Sequence, residues 1–183
     1  FAGRRVCPPV ARRSRLRTRT TAGSEIPQGP TSHAPAGPHP GSGSGPARSL
    51  RPASTSIAAR DSFYLATVTP DGWPYVQHRG GPAGFLKLLP GNRLGFADYR
   101  GNRQHVTTTN LIAEPRLSLF LTDYPNRRRL KILGRGRVVM AEDDPALLAA
   151  LMPSDYRAVA ERAYLVDVVG FDWNCPQHIT PRF

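Results

Sequence analysis

One stretch near the middle of the chain combines residue types that are suited to binding an anion. Residues 94–97 predict the end of an apolar strand, Gly101 and Asn102 predict a turn, and residues 103–113 predict a helix. Such a helix start leaves unpaired backbone N–H groups at the positive end of the helix dipole. Because Arg103 adds a planar cation, the stretch predicts a site for the phosphate of a nucleotide. The same residues also fit an Asn-capped surface helix whose arginine is only solvated.

Two further groups of cationic side chains lie within predicted strands. Gln77, His78 and Arg79 end one strand, where alternation directs Gln77 and Arg79 to the same face. In the basic run 127–129, period two sends Arg128 and Arg129 to opposite faces, so one of them can point inward. An outward polar edge and a solvated basic run are the simpler interpretations of these two groups.

Near the C-terminus, Trp173 and Arg182 also fit either a site or ordinary packing and surface charge. Cys175 and His178 have the spacing of half a zinc site, but no second pair stands at a suitable distance, so we expect no metal. The glycines at 80–84 lack the spacing of a dinucleotide fingerprint, and no phosphate loop is present.

The positive charge is unevenly distributed along the 183 residues. The formal net charge is +12, but residues 1–60 carry ten arginines against Glu25 alone, which leaves the rest of the chain nearly balanced. This argues against a nucleic-acid partner for the folded part. Two cysteines, no long apolar run and no membrane-span pattern indicate an intracellular, cytoplasmic protein without a membrane partner.

Residues 1–56 are rich in Arg, Pro, Gly and Ser and predict a disordered tail. A polybasic arm, a targeting peptide and translated upstream sequence all fit this composition, and we favour the last. Residues 57–183 then form the folded domain.

The folded part predicts a mainly β (α+β) protein with six or seven short antiparallel strands and a few flanking helices. Tight turns between the strands favour a small barrel and exclude a parallel sheet. Glycines 134 and 136 predict a bulge or bend. The predicted strands are 62–68, 73–79, 85–89, 93–98, 116–122, 128–140 and 164–169, the further helices are 143–152 and 154–162, and the end from 171 is irregular.

Taken together, these segments resemble the pyridoxamine 5′-phosphate oxidase-like flavoproteins, which are FMN-binding split barrels. The resemblance runs from about Ser62 to the C-terminus and rests on residues 63–68, 72–76, 95–98, 101–104, 110–115, 116–121, 130–134 and 171–183. It implies FMN as the cofactor, held between the two subunits of a homodimer.

The resemblance also implies which residues hold the flavin. Gln77, His78 and Arg79 line the ring and ribityl chain, with Ala97 and Asp98 on the next strand. Arg103 and Gln104 match the pair that grips the phosphate, although the family has Lys at the second position. Arg129, Trp173 and Arg182 match further positions near the cofactor.

The substrate-phosphate ligands of the oxidase itself are largely missing, because the segment 153–163 is short and the chain ends in His178-Ile-Thr-Pro-Arg182. The expected function is therefore an FMN-dependent oxidoreductase on an unidentified small molecule, with no catalytic residue assigned. A non-catalytic flavin-storage protein and a deazaflavin-dependent reductase remain the alternatives.

Overall fold

A computed structural model describes residues 49–101 and 105–183. Within these residues, no helix is long and apolar enough to cross a membrane. The elements, in chain order, are a 3-10 helix (Arg51–Ala53), α1 (Ser54–Ala58), β1 (Ser62–Val68), β2 (Pro74–Gly80), β3 (Lys87–Leu89), β4 (Arg93–Tyr99), α2 (Val106–Ala113), β5 (Arg116–Asp123), β6 (Arg128–Met140), α3 (Pro145–Leu151) and β7 (Ala160–Trp173).

The first two strands form the predicted hairpin. The amide of Gly72 donates to the carbonyl of Thr69 at 2.8 Å, and the amide of Thr69 donates to the carbonyl of Trp73 at 2.9 Å. Gly72 has a φ of +90°, which glycine adopts without a steric penalty. The turn therefore fixes the register, in which Ser62 lies opposite Gly80.

The seven strands of the described residues form one antiparallel sheet in the order β2-β1-β5-β6-β7-β4-β3. Strands β2 and β3 are the two edge strands of this sheet, and no backbone ladder joins them to each other. The sheet nevertheless curls on itself, because Phe63 of β1 packs against Phe96 of β4 with ring centroids 5.2 Å apart. Side chains thus close the barrel where the backbone does not, which confirms the predicted split barrel.

Alternation along β5 defines the two faces of the sheet. Leu117, Leu119 and Leu121 are buried on the inner face, and Ser118 and Phe120 lie on the opposite, outer face. Each buried leucine contributes roughly 1.5–3 kcal/mol through removal of apolar area from water. The inner face therefore supplies the main stabilisation of the fold.

The glycines of β6 make the bend that was predicted from the sequence. The register between β6 and β7 shifts between Leu133 and Gly134. A Cβ atom on Gly136 would lie 2.6 Å from Leu117 Cδ2 and 3.0 Å from Leu111 Cδ2. Since Leu111 belongs to α2, the absence of a side chain at Gly136 allows this helix to approach the sheet closely.

The segment before the last strand differs from its prediction. Residues 154–162 are not a helix, because the last three of them belong to β7. Ala160 and Arg162 pair with β4, and Arg162 also pairs with β6. Strand β7 is accordingly longer than the predicted 164–169 and includes Phe171 and Trp173. Hydrogen bonds to two neighbouring strands override the helix-favouring composition of this segment.

Several predicted boundaries also shift. In the described residues α2 begins at Val106, while the predicted start at Arg103 lies outside them. Strand β3 is limited to Lys87–Leu89, and the preceding Phe85 is buried in the core without belonging to a strand. Helix α3 is shorter than predicted and is capped by Asp144, whose side chain accepts a hydrogen bond from the amide of Leu147 at 2.9 Å.

The folded part begins ahead of the predicted boundary at residue 57. Leu50 and Ala53 are completely buried and belong to the main core, together with Ile57 of α1. The amide of Leu50 also donates to Asn92 Oδ1 at 2.8 Å. Residues 50–56 are therefore structured, while the predicted tail up to residue 48 lies outside the described residues.

Candidate functional site

Strand β2 carries two of the predicted site residues on its inner face. The side chains of Gln77 and Arg79 are half-buried, and those of the alternating residues Val76 and His78 are exposed. Gln77 Oε1 accepts a hydrogen bond from Thr107 Oγ1 at 2.7 Å, which joins this strand to α2. The predicted alternation of this strand is confirmed.

Arg79 belongs to a closed ring of five side chains, which we call the polar ring. Its Nη1 contacts Asp98 Oδ1 at 2.5 Å, and Asp98 Oδ2 lies 3.5 Å from Arg162 Nε. Arg162 Nη1 then donates to Thr108 Oγ1 at 3.1 Å. Thr108 and Tyr164 share a hydrogen bond of 2.7 Å, and the Tyr164 ring lies 5.2 Å below the guanidinium carbon of Arg79. The polar ring therefore connects β2, β4, β7 and α2.

The five side chains of the polar ring include two cations and one carboxylate. Two guanidinium groups, Arg79 and Arg162, share the single carboxylate of Asp98. The side chain of Arg162 is only 7% exposed, and its Nη2 also contacts Glu161 Oε2 at 3.1 Å. The Nε atoms of Arg79 and Arg162 are buried and have no hydrogen-bond partner. Buried donors of this kind favour an acceptor-rich or anionic ligand.

Burial and the nearby charge of Asp98 raise the pKa of Tyr164 above its usual value. The hydroxyl is protonated at neutral pH, as an unshifted tyrosine also is, and it shares a hydrogen bond with Thr108. Tyr164 also stacks on Phe96, with ring centroids 5.2 Å apart. The tyrosine thus links the polar ring to the apolar core.

Helix α2 places its first turn against the polar ring. Thr107 and Asn110 are almost completely buried, and Asn110 Nδ2 donates to Thr67 Oγ1 of β1 at 2.8 Å. The N-cap residue, His105, makes no side-chain capping bond. The His105 side chain therefore does not cap the backbone N–H groups of this turn. Arg103 and Gln104, the predicted phosphate ligands, lie outside the described residues.

A second feature is a cavity of about 410 Å³ on the outer face. Its walls include His78 and Arg182, two of the predicted site residues. Two lining residues, Arg60 and Asp123, form an ion pair of 3.1 Å. The guanidinium carbon of Arg182 lies 5.1 Å from the centre of the Tyr124 ring. The remaining lining residues include Tyr64 and Phe120, whose aromatic side chains lie on this outer face.

The start of β6 positions a third group. Arg128 extends over the indole of Trp173, with its guanidinium carbon 4.4 Å from the ring centre. Arg129 instead lies on the outer face opposite Thr122, and its Nη2 donates to the carbonyl of Cys175 at 3.2 Å. The two neighbouring arginines therefore point to opposite faces, as predicted, and Arg128 is the one on the inner face.

The structure thus distributes the predicted residues over separate places. Arg79 and Asp98 pair on the inner face, where Gln77 contacts Thr107 instead. His78 and Arg182 both line the outer cavity. Arg129 and Trp173 lie at the beginning of β6 and the end of β7. Ala97 faces neither group, because it is buried against Leu151 of α3.

Sequence reasoning missed Arg162, Thr108 and Tyr164 as members of the site. Arg162 was assigned to the end of a helix, which hid the alternation that places it on the same face as Tyr164 and Val166. Extending the period of two backwards from Tyr164 would have identified it. No local signal marks Thr108, because its role depends on contacts with a distant strand.

Comparison with known proteins accounts for this architecture. The family pattern described as pyridoxamine 5′-phosphate oxidase matches residues 53–171, which is more than half of the chain. No curated protein matches the chain.

Several solved structures are similar to about two thirds of the chain. An FMN-binding protein from Syntrophomonas wolfei is 12% identical, with a TM-score of 0.50, over 69% of this chain and 86% of that chain. A pyridoxamine 5′-phosphate oxidase-related, FMN-binding protein from Nostoc punctiforme is 18% identical, with a TM-score of 0.45, over 68% and 83%. An F420 reductase is 23% identical, with a TM-score of 0.46, over 64% and 94%.

At 12% identity and a TM-score of 0.50, the Syntrophomonas wolfei protein supports the fold alone. The family pattern covers the hairpin, the polar ring and β6 within one match. The chain therefore belongs to the pyridoxamine 5′-phosphate oxidase-like family.

Proposed function

We propose that this protein binds FMN beside the polar ring and acts as an oxidoreductase on a small molecule. The observation that carries the proposal is the surplus of buried donors at this place. Arg79 keeps an Nε–H without a hydrogen-bond partner, and the Nε–H of Arg162 makes only the 3.5 Å contact with Asp98, next to the first turn of α2. Membership of a family with FMN-binding relatives supports the flavin as the acceptor of these donors.

The donor chemistry fits a phosphorylated flavin. Phosphate oxygens, ribityl hydroxyls and ring carbonyls all accept hydrogen bonds, and guanidinium groups are well suited to phosphate. Gln77, Arg79 and Asp98 would hold the cofactor from β2 and β4, and Arg103 and Gln104 would supply the phosphate contacts. When bound, FMN supplies the electron transfer, while the protein binds and orients it.

We further propose that the working form is a homodimer with the flavin at the subunit interface. The separation of the predicted residues supports this idea, since His78, Arg129 and Arg182 lie on the outer face, away from the polar ring. A second copy that presented its outer face to the polar ring would bring the two groups to one ligand. The exposed side chains of Trp73 and Val76 on the first hairpin are available for such an interface.

Arg79→Gln provides the test of the binding site. The isolated wild-type protein is expected to carry a yellow chromophore that mass spectrometry identifies as FMN. Arg79→Gln is expected to weaken FMN binding at least tenfold, because it removes a partly buried cation. Arg137→Gln is the matched control, since it removes an exposed arginine of β6 and leaves binding unchanged. Colourless wild-type protein that does not bind added FMN would refute the proposal.

Turnover is tested on the same preparation. An oxidoreductase is expected to show bleaching of the flavin by NADPH or NADH and its return on exposure to oxygen. Stable FMN binding without bleaching by any donor would instead support a flavin-storage protein. A deazaflavin in the mass spectrum would support a deazaflavin-dependent reductase.

A further inference from the structure

We propose that Arg162 is a positioning residue that determines how strongly the site holds the phosphate of the flavin. This inference rests on the proposed function, because it concerns the same site. Arg162 lies on β7 and is 6% exposed, so it can act on a ligand chiefly through its neighbours. It contacts two of them that belong to different elements, Asp98 of β4 and Thr108 of α2.

The contact with Asp98 controls the charge that the polar ring offers to an anion. Asp98 pairs with Arg79 at 2.5 Å and lies 3.5 Å from Arg162, so one carboxylate is shared between two cations. Without Arg162, the charge of Asp98 would be matched by Arg79 alone. Glu161, the other carboxylate beside Arg162, would keep Arg100 as its partner. The polar ring would then carry one cation and one carboxylate, with no surplus positive charge for a phosphate group, although Arg79 itself would still be present.

The contact with Thr108 controls the orientation of α2. Thr108 is the third residue of this helix, and its hydroxyl also makes a 2.7 Å hydrogen bond with Tyr164. Arg162 and Tyr164 therefore hold the first turn of α2 against β7 from two directions. The backbone N–H groups at this end of the helix are directed by that attachment, and they are suited to an anion rather than to a neutral ring.

Both effects concern the phosphate, so they predict a change in selectivity between two flavins. FMN and riboflavin differ only by the phosphate group. Replacement of Arg162 is expected to weaken FMN binding about tenfold and to leave riboflavin binding nearly unchanged, because about 1.4 kcal/mol of phosphate binding would be lost. A residue that only stabilised the fold would affect the two ligands equally.

The experiment measures the dissociation constants of FMN and riboflavin by quenching of flavin fluorescence. It compares wild type, Arg162→Gln, Thr108→Val and the control Arg116→Gln. Arg116 is an exposed arginine beside Glu114, so its replacement removes the same formal charge far from the polar ring. Thr108→Val keeps Arg162 and the shape of the side chain, so it tests the helix contact if Arg162→Gln folds poorly.

We expect the ratio of FMN to riboflavin affinity to fall about tenfold in Arg162→Gln, severalfold in Thr108→Val and not at all in Arg116→Gln. Wild-type binding of FMN with an unchanged ratio in the first two variants would overturn this inference and leave the proposed function standing. A wild-type protein that bound neither flavin would overturn both.

Discussion

Asp98→Asn is the substitution that most directly tests the physical basis of the polar ring. The carboxylate of Asp98 is the contact that Arg79 and Arg162 have in common, and the three side chains are between 7% and 16% exposed. An amide at this position keeps the shape but removes the negative charge. Two largely buried guanidinium groups would then face each other without the compensating carboxylate.

The expected cost is large for a single isosteric change. Removal of one partner of a buried ion pair typically destabilises a protein by about 3–5 kcal/mol. Since the amide oxygen still accepts a hydrogen bond, we expect a loss near the lower limit, about 3 kcal/mol in the free energy of unfolding. For a folded part of this size, that loss corresponds to a decrease in Tm of roughly 10 °C.

The measurement is urea unfolding of both proteins without ligand, followed by tryptophan fluorescence and circular dichroism. Asp167→Asn is the matched control, because Asp167, like Asp98, forms an ion pair with an arginine, here Arg93. The side chain of Asp167 is, however, 50% exposed. An exposed pair of this kind contributes about 0–1 kcal/mol. Equal losses in the two variants, or a loss below about 1 kcal/mol for Asp98→Asn, would refute the view that burial makes this contact important.

Two further predictions concern other parts of the fold. Gly136→Ala should lower the free energy of unfolding by about 1–3 kcal/mol, because its Cβ atom would lie too close to Leu117 and Leu111. Urea unfolding should show no such loss for Gly101→Ala, where the nearest atom of the described residues would be 3.9 Å from the new Cβ atom. Hydrogen bonds from Arg116 lower the pKa of Glu114 to about 2, so the stabilisation from this pair should be complete above the unfolded-state pKa of Glu and disappear as the pH falls through about 2. NMR titration should show the pKa of Glu114 rising towards about 4.3 in Arg116→Gln, and an unchanged value would contradict the assigned cause.

The sequence alone predicted the parts of the fold that depend on neighbouring residues. The first hairpin follows from the turn at Thr69–Gly72, and strand β6 follows from its alternating apolar residues, with a bend where glycines occur. These signals are local, because turn geometry and side-chain alternation are properties of a few consecutive residues. The motifs along the chain also sufficed to identify the family, which the match over residues 53–171 confirms.

Only the tertiary structure decided where the polar residues meet. Residues 160–162 belong to a strand because Ala160 and Arg162 pair with β4 and Arg162 also pairs with β6, and this pairing placed Arg162 between Asp98 and Thr108. Such contacts join residues that are distant in the sequence, so no local pattern records them. For the same reason, the sequence predicted alternation at Arg128 and Arg129, but the position of the core decided that Arg128 covers Trp173 and that Arg129 lies on the outer face.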